Sequence, residues 1–158
     1  MNSVEYRLIA AVYGDRKAQR SGVPLMNHID EGLVLFGQFF KGLDMDMAKR
    51  AWCLHPLVQA DDDLVSNFAL LVQADPRAVA LAMEYRRVAN AYLSRRAITS
   101  LEEIELSPLN DVNKMLYVDK IQNRKDFRQY HLGTHPRSKE LEQYFENWIQ
   151  RLEHAMVV

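Results

Sequence analysis

Apolar and polar positions alternate along this chain with the period of a helix wherever a period can be read. In "SKELEQYFENWIQRLEHAM" the residues Leu141, Tyr144, Phe145, Trp148, Ile149 and Leu152 recur at spacings of three and four, one apolar stripe along a helix. Asp75 followed by Pro76 marks another start, because an aspartate caps free amides and proline suits the first helical position. That helix is expected to run to about Arg96. Further helices are expected over about 3–19, 28–40, 45–55, 61–73 and 110–129. Gly42 is placed to close the second of these and Asp44 to cap the third, which carries Trp52 and His55. "RSGVPL" and "LSPLN" read as loops, since Gly22, Pro24 and Pro108 interrupt any regular pattern. Strand signals are almost absent. The expectation is an all-α fold: a compact bundle of about six helices around one core, with residues 1–158 forming a single domain.

Length supports that reading, because 158 residues bury one sizeable core without splitting into two. Cys53 is the only cysteine, so no intrachain disulfide forms; a buried, inert thiol in a reducing cytoplasm is the expectation. No basic segment leads into an apolar run at the start of the sequence, and no stretch approaches about 18 uninterrupted apolar residues. A soluble, untargeted cytoplasmic protein is expected, with no membrane partner. Twenty basic residues against 21 acidic ones give a net charge of −1, which argues against bulk attraction to nucleic acid.

Candidate chemistry lies in three polar interruptions of apolar helices: "NHID" around His28, "CLHP" around His55 and "YVDK" around Asp119. Asp119, inside the apolar run "MLYVDKI", is the most informative, because burying a carboxylate requires a cation or several hydrogen bonds. HExxH, CxxC, P-loop and dinucleotide glycine patterns are all missing, so the common zinc-protease, zinc-finger and nucleotide-loop readings have no support.

Taken in order, these segments resemble the HD-domain phosphohydrolases of the guanosine tetraphosphate hydrolase type. "QRSGVPLMNHI" is similar to the family's turn before the helix bearing its first metal-ligand histidine, and "AWCLHPLVQADDD" to its His-Asp helix, where Glu-Asp follows. "MLYVDKIQNRKDF" resembles its late helix with Ala-Asp-Lys, Asn and Arg, and "EQYFENW" its C-terminal helix, whose tyrosine lies near the nucleotide. The likeness spans about residues 5–152. It implies that His28, His55 and Asp119 are three of four metal ligands, and that Arg16, Lys17, Arg20, Lys120, Asn123, Arg124 and Tyr144 face a nucleotide or other phosphate ester. Arginine suits that task because its planar fork meets phosphate oxygens bidentately.

The sequence departs from the family where the hydrolytic parts belong. Pro56 stands in place of the ligating aspartate, and Gln59 and Ala60 in place of the Glu-Asp pair that handles the attacking water. Glutamine orients water but does not take its proton at neutral pH. Asp62, two helical turns beyond His55 and flanked by Asp61 and Asp63, is a candidate replacement; the competing reading makes "DDD" the start of the next helix. The resemblance thus implies a divalent cation, manganese or zinc, held weakly or absent. Three readings follow. The chain is an HD-fold protein with a phosphate-ester pocket and little or no hydrolysis, an active phosphohydrolase with rearranged ligands, or an interaction scaffold.

Overall fold

The computed structural model describes residues 2–93, 98–134 and 136–156. It contains seven α-helices among the described residues: α1 (Val4–Tyr13), α2 (Met26–Phe39), α3 (Asp46–Leu54), α4 (Asp61–Asn67), α5 (Pro76–Leu93), α6 (Asn110–Tyr130) and α7 (Ser138–Ala155). Helix α3 is the axle. It packs on α1, α2, α5 and α6, and α6 in turn holds α7 against the far side of the bundle. Ala48, Ala51, Trp52, Cys53 and Leu54 are all buried, so this nine-residue helix has no solvent face over its second half. Burial pushes the Cys53 thiol up to about 12, which leaves it a protonated packing group. None of the described helices is long and apolar enough to cross a membrane.

The expected starts hold for physical reasons visible in the structure. The Asp75 carboxylate accepts from the Arg77 amide at 2.9 Å and Pro76 opens α5. Asp44 accepts from the Asp46 amide at 3.1 Å, and Gly42 takes φ +84°, a left-handed turn that leads the chain away from α2. On α7 the residues Phe145, Trp148, Ile149 and Leu152 are buried as one stripe, with Tyr144 packed at its edge.

Three expected boundaries differ. Helix α1 stops at Tyr13 rather than near residue 19, because the Gly14 amide bonds Ala10 O with φ +51° and turns the chain out of the helix. Residues 15–25 instead fold on themselves: Ala18 N donates to Val23 O at 2.8 Å and Leu25 N to Arg16 O at 2.9 Å. Helix α4 gives way at Asn67 to a 3₁₀ segment, Phe68–Gln73, as the Asn67 side-chain Nδ2 donates back to Leu57 O at 3.1 Å. Helix α3 ends at Leu54, and His55–Leu57 form a 3₁₀ turn. The expected end of α5 near Arg96 lies outside the described residues.

Gly32 sets the spacing of α2 from α3. A Cβ placed there would sit 2.3 Å from the Trp52 ring, whose indole donates to Ile29 O at 3.1 Å. Overpacking so rigid a contact costs about 1 to 3 kcal/mol. Gly32→Ala is therefore expected to lower the urea midpoint by that free energy divided by the unchanged slope; an unaltered midpoint would show that Trp52 moves freely.

Candidate functional site

Trp52 and the turn after α3 place the first of the convergent residues. An α-helix carrying on past Leu54 would pair the amide of residue 56 with Trp52 O, but Pro56 has no amide hydrogen. The His55 ring takes that carbonyl instead, its Nδ1 lying 2.5 Å from Trp52 O. A carbonyl only accepts, so Nδ1 carries the proton and Nε2 a lone pair. The ring is sandwiched between Trp52 and Tyr85, at centroid distances of 4.4 and 4.9 Å.

His28, on the first turns of α2, brings its Nε2 to 3.3 Å from His55 Nε2 and 3.5 Å from Asp119 Oδ1. The three candidate donor atoms all lie within 4.8 Å of one another. Asp119 comes from the middle of α6 and is buried with Lys120. Its Oδ2 accepts from Lys120 Nζ at 2.8 Å and its Oδ1 from Asn123 Nδ2 at 3.0 Å. Burial pushes the Asp119 carboxyl up, but the charge of the Lys120 ammonium, with its hydrogen bond, outweighs burial and holds the carboxyl at about 2. Burial likewise opposes charge on Lys120, yet Asp119 and Tyr144 raise its pKa above the ordinary lysine value. The Lys120 ammonium lies 5.5 Å from the rings of both Tyr144 and Trp148, so its cation is shared between a carboxylate and two aromatic faces.

His55 is held neutral. Burial is the main cause, the neighbouring His28 adds to it, and the pKa falls from 6.5 to about 3 although Asp119 pulls the other way. Between those values an unfolded chain holds a proton that the folded chain lacks. Stability is therefore complete above pH 6.5 and falls as pH drops toward 3, with a slope approaching about 1.4 kcal/mol per pH unit. Urea unfolding of chelator-treated protein should show that slope, and His55→Gln should be shallower above about pH 5, where the lowered carboxylates do not yet contribute. Parallel profiles for the two proteins would contradict a neutral buried His55.

These groups floor an open cleft of about 600 Å³. Of the residues implied for a phosphate ester, Arg16, Lys120, Asn123 and Tyr144 line it, as do Pro56 and Gln59. Arg16 stands at the rim with its guanidinium 5.8 Å over Tyr13, and Tyr144 stacks on Tyr92 at 5.1 Å. Arg20 lines an adjoining groove of about 520 Å³ that shares Asn123 and Asp126 with the first. Lys17 is exposed on the 15–25 loop, outside both linings. Arg124 points to α7, where it pairs with Glu146 at 2.8 Å, so its charge is committed within the fold.

The acidic triplet divides. Asp61 pairs with Arg86, Asp62 is exposed and outside the cleft lining, and Asp63 lines the cleft while its Oδ2 accepts from Ala60 N at 3.1 Å. All three occupy the first turn of α4, where carboxylates are favoured. Asp62 is therefore placed as a solvated helix-start residue, and Asp63 is the one facing the site. Gln59 is tied to α5: its Nε2 donates to Asn90 Oδ1 at 3.0 Å, and Asn90 Nδ2 donates to Gln59 O at 3.1 Å.

Two site residues escape a reading of motifs alone. Tyr85 is fully buried against Asp119, its phenol pushed well up by burial and then by that carboxylate. Gln122 lies 2.5 Å from His28 Nδ1. Its signal was the spacing of Asp119, Gln122 and Asp126 along one face of α6.

The donor set fits a small divalent cation. With Nδ1 of each ring facing another partner, the two Nε2 atoms face each other across 3.3 Å, an arrangement that a cation between them would stabilise. Two bonds of the length zinc makes to histidine, opened to a tetrahedral angle, set their nitrogens roughly 3.3 Å apart. Comparisons with family models, with curated proteins and with solved structures returned no match to this chain.

Proposed function

We propose that this chain is an HD-type protein that holds a divalent cation on His28, His55 and Asp119 and binds a phosphate ester, of which a phosphorylated nucleotide is the candidate, with little or no hydrolysis. The observation that carries the reading is the pair of facing Nε2 atoms 3.3 Å apart, beside an anionic Asp119. A divalent cation there supplies Lewis acidity toward a phosphoryl oxygen and acidifies water.

Charge supports the second half of the reading. Three carboxylates, Asp63, Asp119 and Asp126, line the cleft against two cations, Arg16 and Lys120. A divalent cation reverses that balance and makes the cleft attractive to an anion. Arg16 at the rim then supplies a planar fork for phosphate oxygens, and Asn123 an amide beside Asp119. Tyr144 offers an aromatic edge to the remainder of the ligand.

Proton transfer is the weak part. Gln59 occupies the position of the family's acidic pair, has no basic group, and is anchored to Asn90. Pro56 lines the cleft with no donor atom. Asp63 favours a second reading, an active hydrolase with rearranged parts, because it is the one acid of the triplet that lines the cleft. One experiment separates the two. Zinc- or manganese-loaded protein is titrated with a panel of phosphorylated nucleotides, and phosphate and pyrophosphate release is followed in parallel. The expected result is metal-dependent binding, weakened about tenfold or more by Arg16→Ala, with negligible release. Rapid release lost in Asp63→Asn establishes the second reading. No binding of any phosphorylated compound by the metal-loaded protein overturns both.

A further inference from the structure

The contacts behind His28 form a chain that ends in two carboxylates. Gln122, almost fully buried, presents Oε1 to His28 Nδ1 at 2.5 Å. Its amide nitrogen donates to Glu31 Oε2 at 3.2 Å and to Asp126 Oδ2 at 2.6 Å. Lys125 bridges the same two acids, at 2.6 Å from Glu31 and 3.3 Å from Asp126. Ionised carboxylates have no proton to donate, so they accept only from the NH₂ end of the glutamine. That leaves one orientation for the amide. Its oxygen faces the histidine, and the histidine nitrogen it meets must carry the proton.

We propose that Gln122, held by Glu31 and Asp126, is the positioning residue that fixes His28 in the Nδ1–H tautomer and so keeps its Nε2 lone pair turned toward His55 and Asp119. His55 is fixed the same way by the Trp52 carbonyl. The two imidazoles are thus oriented from opposite sides, one by backbone and one by a charged relay on α2 and α6. A neutral imidazole in the other tautomer would present an N–H to His55 Nε2 and close the gap with a proton. The consequence for affinity rests on reading the site as a metal site: partners of this kind behind a ligating histidine are typically worth 10- to 100-fold in metal binding.

The test reads the tautomer directly and needs no metal. Nitrogen-15 spectra of the imidazoles in chelator-treated protein at mildly alkaline pH should show His28 protonated at Nδ1. In Gln122→Met, which keeps the side-chain length and removes the acceptor, the His28 signals should move to the Nε2–H form or to a mixture. Glu31→Gln with Asp126→Asn keeps Gln122 and the core intact and removes the reason for its orientation, so it should give a mixture as well. This second variant covers the case in which Gln122→Met does not fold. A wild-type His28 protonated at Nε2, or an Nδ1–H form unchanged in whichever of the variants fold, overturns the assignment. Zinc affinity is then compared by competition with a chromogenic chelator, and a 10- to 100-fold loss in the variants is expected. Equal zinc affinity in wild type and variants overturns the affinity consequence. Wild-type protein that shows the predicted tautomer and takes up no metal refutes the reading of the site while leaving Gln122 in its role.

Discussion

Lys120→Met should destabilise the metal-free protein by about 3 to 5 kcal/mol, the cost of breaking a buried ion pair by removing one partner. Methionine fills much the same space, so little of the loss comes from packing. The Lys120 ammonium is the nearest cation to Asp119, and both side chains are almost wholly removed from water, at 7% and 5% exposure. Without it Asp119 keeps the Asn123 amide and the neighbouring His28, neither of which replaces a full charge at 2.8 Å. The loss should shrink when zinc is added, because a ligand that binds only the folded state stabilises it, and the unpaired carboxylate should value the ion more than the wild type does. Urea unfolding with chelator and with excess zinc measures both effects. A loss under about 1 kcal/mol with chelator, the range of exposed pairs, would mean that solvent screens Asp119.

The second large effect concerns the parts of the resembled family's pattern that this sequence lacks. Pro56→Asp, Gln59→Glu and Ala60→Asp together should tighten metal binding and raise phosphate-ester hydrolysis by roughly 10²- to 10⁴-fold, the range for general base catalysis. Pro56 and Gln59 both line the cleft, so an aspartate and a glutamate introduced there face the metal candidates. Two costs accompany the gain. Aspartate at 56 restores an amide that competes with His55 for Trp52 O, which the carbonyl accommodates because it has two lone pairs. Glutamate at 59 loses the donation to Asn90 Oδ1, and Asn90 must turn its amide to face the new carboxylate. Phosphate release from the nucleotide panel with manganese, for wild type and triple variant, decides the matter. Brisk turnover by the wild type that disappears in the triple variant would establish "HPLVQADDD" as a different working motif.

Which residues meet at the cleft was legible where burial forces a polar group to have a reason. His28, His55 and Asp119 each interrupt an apolar helical segment, and the bundle brings those interruptions to within 4.8 Å of one another. Lys120, Asn123 and Tyr144 came only from the family resemblance, and the structure places all three in the cleft lining. The cations before His28 were harder to place, since an unbroken α1 would have carried Arg16 and Lys17 along a rod. Gly14 breaks the rod, and only Arg16 of the three basic residues returns to the main cleft lining. Arg124 shows the limit of reading charge from one helix at a time. Its partner, Glu146, belongs to another helix, and only the packing of α6 on α7 brings them together.

Pro56 was read in the sequence as a loss, and the structure adds a consequence that no pattern contained. By having no amide hydrogen, it frees the carbonyl that orients His55. The 3₁₀ turn that follows carries the chain out of α3 and into α4, whose first turn holds the acids. The same residue therefore takes a donor atom out of the turn and helps to aim the histidine beside it.

Metal content tests the central claim most directly. Protein stripped with chelator, dialysed against zinc or manganese and freed of excess ion should retain one zinc per chain, with manganese held more weakly because a single carboxylate serves a hard cation poorly. His28→Ala, at a half-buried position that leaves the core packing in place, should abolish retention. A wild-type protein that emerges without metal, or a His28→Ala variant that keeps it, would contradict the assignment of His28, His55 and Asp119 as a metal centre.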